Sequence, residues 1–160
     1  MKCTDYEYWK LMKEVEQEIR NLIQSIKEDC PKNLLADLRK EPSGIFYRFE
    51  IKRFDRYPYF ISNKERFKKA KDNKYRCMMC GLSVYLSYEN SKEALEKVLS
   101  ARSRKFPNLK NQGYRILICE NLIDYGELYN TPTIGSEHYT FFPCSNYNPN
   151  NVWKIYEESV

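Results

Sequence analysis

The apolar residues of this chain change their period once, and that change limits the fold to a helical segment feeding a sheet. From about Asp5 to Asp29, Trp9, Met12, Val15, Ile19, Leu22, Ile23 and Ile26 recur at three- and four-residue steps. That spacing lines one face of a helix. Lys10, Lys13, Glu14, Glu18 and Lys27 take the opposite face. Pro31 forbids continuation, because proline lacks the amide hydrogen a helix interior needs. A shorter helix through Leu34, Leu35 and Leu38 is expected before Glu41-Pro42-Ser43-Gly44.

From Gly44 onward the period falls to two. In the strand expected over 44–51, Phe46, Arg48 and Glu50 share one face, and Ile45, Tyr47, Phe49 and Ile51 share the other. The more apolar set belongs on the core side, which turns Arg48 and Glu50 toward an open groove. In the segment 81–87, Leu82, Val84 and Leu86 alternate with Ser83, Tyr85 and Ser87, so its polar face holds only hydroxyl-bearing side chains. Further strands are expected over 114–120 and 137–142, with a last one near Val152 to Tyr156. Between them, Ser62 followed by Glu65 has the form of a capping box opening a basic helix to about Lys71. A second helix starts at Asn90 or Ser91 and carries Ala94, Leu95, Val98 and Leu99. Turns are expected at Gly126 and across Pro132 to Gly135, and polar loops over 102–113 and 146–151.

The expected fold is therefore α+β: an N-terminal helical arm, residues 1–41, and a core, residues 42–160. The core is a mixed, mainly antiparallel twisted sheet with flanking helices. At 160 residues there is material for one such core and no second full domain. An aromatic fraction of 15% argues against disorder. No apolar run reaches the roughly 20 residues of a membrane span, and the first residues lack a secretory apolar segment. A cytoplasmic location with no membrane partner is the corresponding expectation.

In that compartment the six cysteines read as reduced thiols. Cys119 sits in an apolar run and suits a core. Cys77 and Cys80 have metal-ligand spacing, and His138 with Cys144 would complete a set of four. The spacing matches no standard zinc module, so no metal is expected.

Charge is uneven along the chain. Residues 52–76 hold ten basic side chains against Asp55, Glu65 and Asp72, a balance of +7. Lys52, Arg53, Arg56, Arg66 and Lys69 there alternate with Phe54, Tyr57, Tyr59, Phe60, Phe67 and Tyr75. Cations that track phosphates beside rings that stack bases suit single-stranded nucleic acid or another phosphate-bearing ligand. A binding module of this kind, or one that takes a protein partner through the N-terminal helix, is the non-enzymatic alternative. No phosphate-binding glycine loop and no Gly-x-Ser-x-Gly elbow is present.

His138 is the one histidine. It lies in an aromatic strand next to Glu137, whose carboxylate would orient an imidazole. The run Gly81-Leu82-Ser83-Val84-Tyr85-Leu86-Ser87 followed by Ser91-Lys92-Glu93-Ala94 resembles the middle motif of the ADP-ribosyltransferase family. The resemblance implies NAD in a cleft between short sheets. Arg48 would supply the early cationic position and Tyr85 or Ser87 the middle one. Glu137, without a Glu-x-Glu, would stand at the late carboxylate, with His138 beside it. The implied chemistry is transfer of ADP-ribose to a protein or nucleic-acid target, the carboxylate stabilising the sugar cation as nicotinamide leaves. This assignment requires Arg48, Tyr85, Ser87, Glu137 and His138 to line one cleft.

Overall fold

The computed structural model describes Cys3 and residues 6–39, 44–51, 64–102, 113–131 and 138–159. Within them the chain is an α+β fold on a six-stranded antiparallel sheet. The N-terminal period breaks into pieces: α1 (Glu7–Lys10), a 3₁₀ turn (Leu11–Glu14) and α2 (Gln17–Ile26). Arg20 marks the break by donating from its guanidinium to the carbonyls of Met12, Lys13 and Val15. These are carbonyls that a continuous helix would have satisfied internally. The expected helix at Leu34 to Leu38 is reduced to a 3₁₀ turn, Ala36–Leu38.

The strands are β1 (Phe46–Ile51), β2 (Leu82–Tyr85), β3 (Tyr114–Cys119), β4 (Gly126–Asn130), β5 (His138–Pro143) and β6 (Lys154–Glu158), in the spatial order β4-β5-β2-β1-β3-β6. Strand β4 occupies what the sequence suggests is only a turn. Gly126 opens it because an added Cβ would lie 2.3 Å from the Phe142 carbonyl oxygen. The remaining helices are α3 (Lys64–Lys68), α4 (Asn73–Met78), α5 (Tyr88–Arg102) and α6 (Pro149–Val152). Cys77 and Met78 end α4, with buried Met79, Cys80 and Gly81 between them and β2. Arg76 bolts α4 to α3 through the carbonyls of Phe67, Lys68 and Ala70. The expected capping residue Ser62, the patch 57–61, the turn 132–135 and most of the loop 102–113 lie outside the described residues.

Both faces of the sheet are covered. On one face, Phe46, Val84, Leu117, Tyr139 and Phe141 pack with Leu122, Tyr147, Val152 and Trp153. On the other, α5 covers Ile51 and Ile116 through Leu95. The N-terminal segment covers Tyr129 and Phe142 on that same side with Tyr8, Ile19, Ile23 and Ile26, joined by Phe67 and Met79. The arm is thereby a layer over the sheet. No helix among the described residues is long and apolar enough to cross a membrane.

The reduced-thiol expectation is overturned. Cys30 is bonded to Cys77 and Cys3 to Cys144, leaving Cys80 and Cys119 as buried free thiols. Cys77 and Cys144 are thus engaged, and the four-ligand set considered from sequence is not formed. The physical reason is proximity: the arm folds back onto α4 and β5, which brings partners 47 and 141 residues distant into bonding range.

Candidate functional site

Strand parity divides the residues expected to share a cleft. Tyr47 pairs with Tyr85 and Tyr85 with His138, so these three stand on the helix-covered face. Arg48, one position along β1, stands on the opposite face. It is 6% exposed and packed where it acts on the Tyr147 hydroxyl, so it faces a core and not an open groove. Burial raises the Tyr147 hydroxyl and Arg48 partly offsets it. The sequence-based placement fails because the sheet is covered on both faces, by the N-terminal segment and α5 on one and by the segments around Leu122 and 147–153 on the other, so the apolar set does not mark the only core side. Glu50 is on the Arg48 face, 3.4 Å from Arg115.

Ser87 serves another purpose. Its hydroxyl accepts the Asn90 amide at 3.1 Å, capping α5. Glu137, Lys52, Arg53 and Arg56 lie outside the described residues. Arg66 and Lys69 are exposed at and just beyond α3. Of the five side chains, the structure brings Tyr85 and His138 together. Their rings meet edge to face with centroids 5.4 Å apart, and Phe49 stacks on Tyr85 at 6.2 Å. Burial pushes the Tyr85 hydroxyl up to about 12, so it stays protonated at neutral pH.

Next to this pair the helical cover parts. A cavity of about 550 Å³ opens between the β2–β5 surface and the α4 segment. Its floor is Gly81, Ser83, Thr131, His138 and Thr140, and Leu38, Tyr75, Met78 and Met79 wall it. Short side chains border the space: Ser83 and its register partner Thr140 lie between the bulkier Tyr85 and Phe142 on the same face. Ser83 is exposed although β2 is an inner strand of the sheet. Gly81 holds the α4 end close to β5, since a Cβ there would lie 2.3 Å from Thr140 Cγ2 and 2.9 Å from the Phe141 carbonyl.

The floor is a linked set of hydrogen bonds. His138 Nδ1 lies 2.8 Å from the Thr131 carbonyl and 2.9 Å from its hydroxyl, which in turn meets the Thr140 hydroxyl at 2.7 Å. A carbonyl only accepts, so Nδ1 carries the hydrogen and Nε2 carries the lone pair. Burial lowers the imidazole below the ordinary histidine range, and the Thr131 carbonyl offsets part of that. The ring is therefore neutral at pH 7. Among the described lining residues Lys74 is the one charged side chain, and its ammonium is held by Asp37 at 3.1 Å.

The arrangement can enclose a small molecule between thioether and aliphatic walls and offer it hydroxyls and one imidazole nitrogen. Among the described residues no group of three His, Cys, Asp or Glu side chains is placed to hold a metal ion. Sequence patterning showed the all-hydroxyl face of 81–87. It did not mark Thr131, Thr140 or the two methionines, whose roles arise only when four segments meet. No family model, curated protein or solved structure matches this chain.

Proposed function

We propose that the protein is a ligand-binding domain whose site is the cavity over β2 and β5. The observation that carries this reading is Ser83, an exposed hydroxyl on an inner strand, flanked by buried Leu82 and Val84 and facing a cavity large enough for a drug-sized ligand. A packed sheet ordinarily closes such a position with a large side chain. Transfer of ADP-ribose is not part of this reading, because it rests on Arg48 and Tyr85 sharing a cleft and strand parity separates them. The two disulfides favour an oxidising compartment over the cytoplasm.

The test is a screen of small neutral molecules, with NAD and a short oligonucleotide included, against ¹³C-methyl-methionine protein. Binding that shifts the Met78 and Met79 methyls and is lost in Ser83→Trp, a variant that fills the cavity, supports the reading. Binding of NAD or the oligonucleotide that leaves those methyls unmoved and survives Ser83→Trp moves the site elsewhere and overturns it.

A further inference from the structure

Resting on that reading, we propose the chemistry of the ligand: an uncharged aromatic molecule whose N–H or O–H group donates to Nε2 of His138. The Thr131 carbonyl locks the tautomer by taking Nδ1–H at 2.8 Å. Nε2 is left as an acceptor with no partner among the described residues, and it is not one of the sealed polar atoms of the fold. His138 lines the cavity, so the donor for Nε2 comes from whatever occupies it.

Charge argues the second half. Among the described residues the lining holds one ionised side chain, Lys74, paired with Asp37 at the exposed rim. A charged ligand would lose its hydration without a compensating partner. The walls suit a flat ring: Met78 and Met79 supply polarisable sulfur, which favours contact with aromatic edges. Tyr75 stands 40% exposed at the same lining, an aromatic lip available for stacking. Ser83, diagonal to His138 across the β2–β5 pair, offers a second polar contact about 7 Å away. One ring system with a donor at one end spans that interval.

The experiment uses indole, 1-methylindole and benzoate at millimolar concentration on the full chain, read by methionine methyl shifts and by the ¹⁵N shift of His138 Nε2. Indole is expected to move both signals. 1-Methylindole, of nearly equal shape but with no donor, should bind about tenfold more weakly, the loss expected for one hydrogen bond to a buried acceptor. Benzoate should not bind. Indole affinity should fall as pH drops below the histidine range, because a protonated Nε2 no longer accepts, while 1-methylindole affinity should change little. His138→Phe should bring indole down to the level of 1-methylindole.

Equal binding of the two indoles, both shifting Met78 and Met79, overturns the Nε2 donor while leaving the cavity as a site. Tight binding of benzoate overturns the requirement for an uncharged ligand. Failure of all three to move the methionine methyls defeats the cavity as a ligand site and this inference with it. The comparison of indoles on the unaltered protein does not depend on whether His138→Phe folds.

Discussion

Arg39 and Glu127 meet at 2.5 Å where the N-terminal segment crosses the β4 edge of the sheet. The carboxylate side chain is 3% exposed, and its other oxygen accepts from Tyr6. Backbone bridges from Arg39 to Tyr129 and from Tyr6 to Cys144 flank the contact. A carboxylate this well buried cannot fall back on water. The arm is thus latched to the sheet by charge at the point where its apolar layer begins.

Arg39→Ala should cost about 2 kcal/mol in urea unfolding at pH 7, the scale of a hydrogen bond to a charged group. Glu127→Gln/Arg39→Ala should cost less than Arg39→Ala alone, because no buried charge is stranded. A double variant weaker than the single would show that the latch does not act through charge.

The arm should not be separable from the core. Ile19, Ile23 and Ile26 are each at most 1% exposed and share a cluster with Tyr129 and Phe142 of the sheet. Ile23→Ala is expected to destabilise by roughly 2–5 kcal/mol, and deletion of residues 1–35 to abolish the cooperative unfolding transition. A soluble truncated chain with a normal near-ultraviolet spectrum would count against this packing.

Gly81→Ala should be destabilising by roughly 1–3 kcal/mol, the usual range for overpacking. The added methyl meets Thr140 Cγ2 and the Phe141 carbonyl. Thr140→Ser in the same chain removes one of these contacts and should recover part of the loss. Urea midpoints of the single and double variants measure both.

The Cys30–Cys77 bond closes 47 residues of chain. Cys30→Ala/Cys77→Ala should lower stability by about 2–4 kcal/mol, chiefly by freeing the unfolded state. Thiol titration under denaturing conditions should rise by no groups in this variant, since both sulfurs are gone. Reducing the unaltered protein should expose four thiols beyond Cys80 and Cys119.

Acid should act through Glu157. Lys92 at 2.9 Å, then the Tyr88 hydroxyl at 2.7 Å, hold its carboxyl below the ordinary 4.5. A carboxyl lowered by folding stabilises above its unfolded value, and that contribution is lost as pH falls through the folded value. Glu157→Gln should therefore unfold more easily than the unaltered chain at pH 7. The gap should narrow steadily below pH 4.5. A gap independent of pH would remove the carboxylate from the account.

The fold class was legible because local periodicity is a local property. The alternation of Phe46 to Ile51 and of Leu82 to Tyr85 follows from a backbone that turns every side chain over, and both strands stand where that alternation puts them. Strand β4 was not legible: Gly126-Glu127-Leu128-Tyr129-Asn130 buries a carboxylate, so its polar residue looks like a turn until Arg39 and Tyr6 arrive to receive it. Ser87 was marked as polar and near the right strand, yet it is a helix cap, since the chain leaves the sheet at Leu86.

The sequence by itself determined the α+β class, the strands other than β4, the helices α2 and α5, and which neighbours along a strand must point apart. Only the tertiary structure decided that both faces of the sheet are covered, that Arg48 is buried away from Tyr85, and that the cover opens over Ser83 and His138. The physical reason is that a period of two separates faces without saying what lies against them. That depends on segments such as Leu38 and Met78, distant along the chain, whose meeting no pattern within any one segment records.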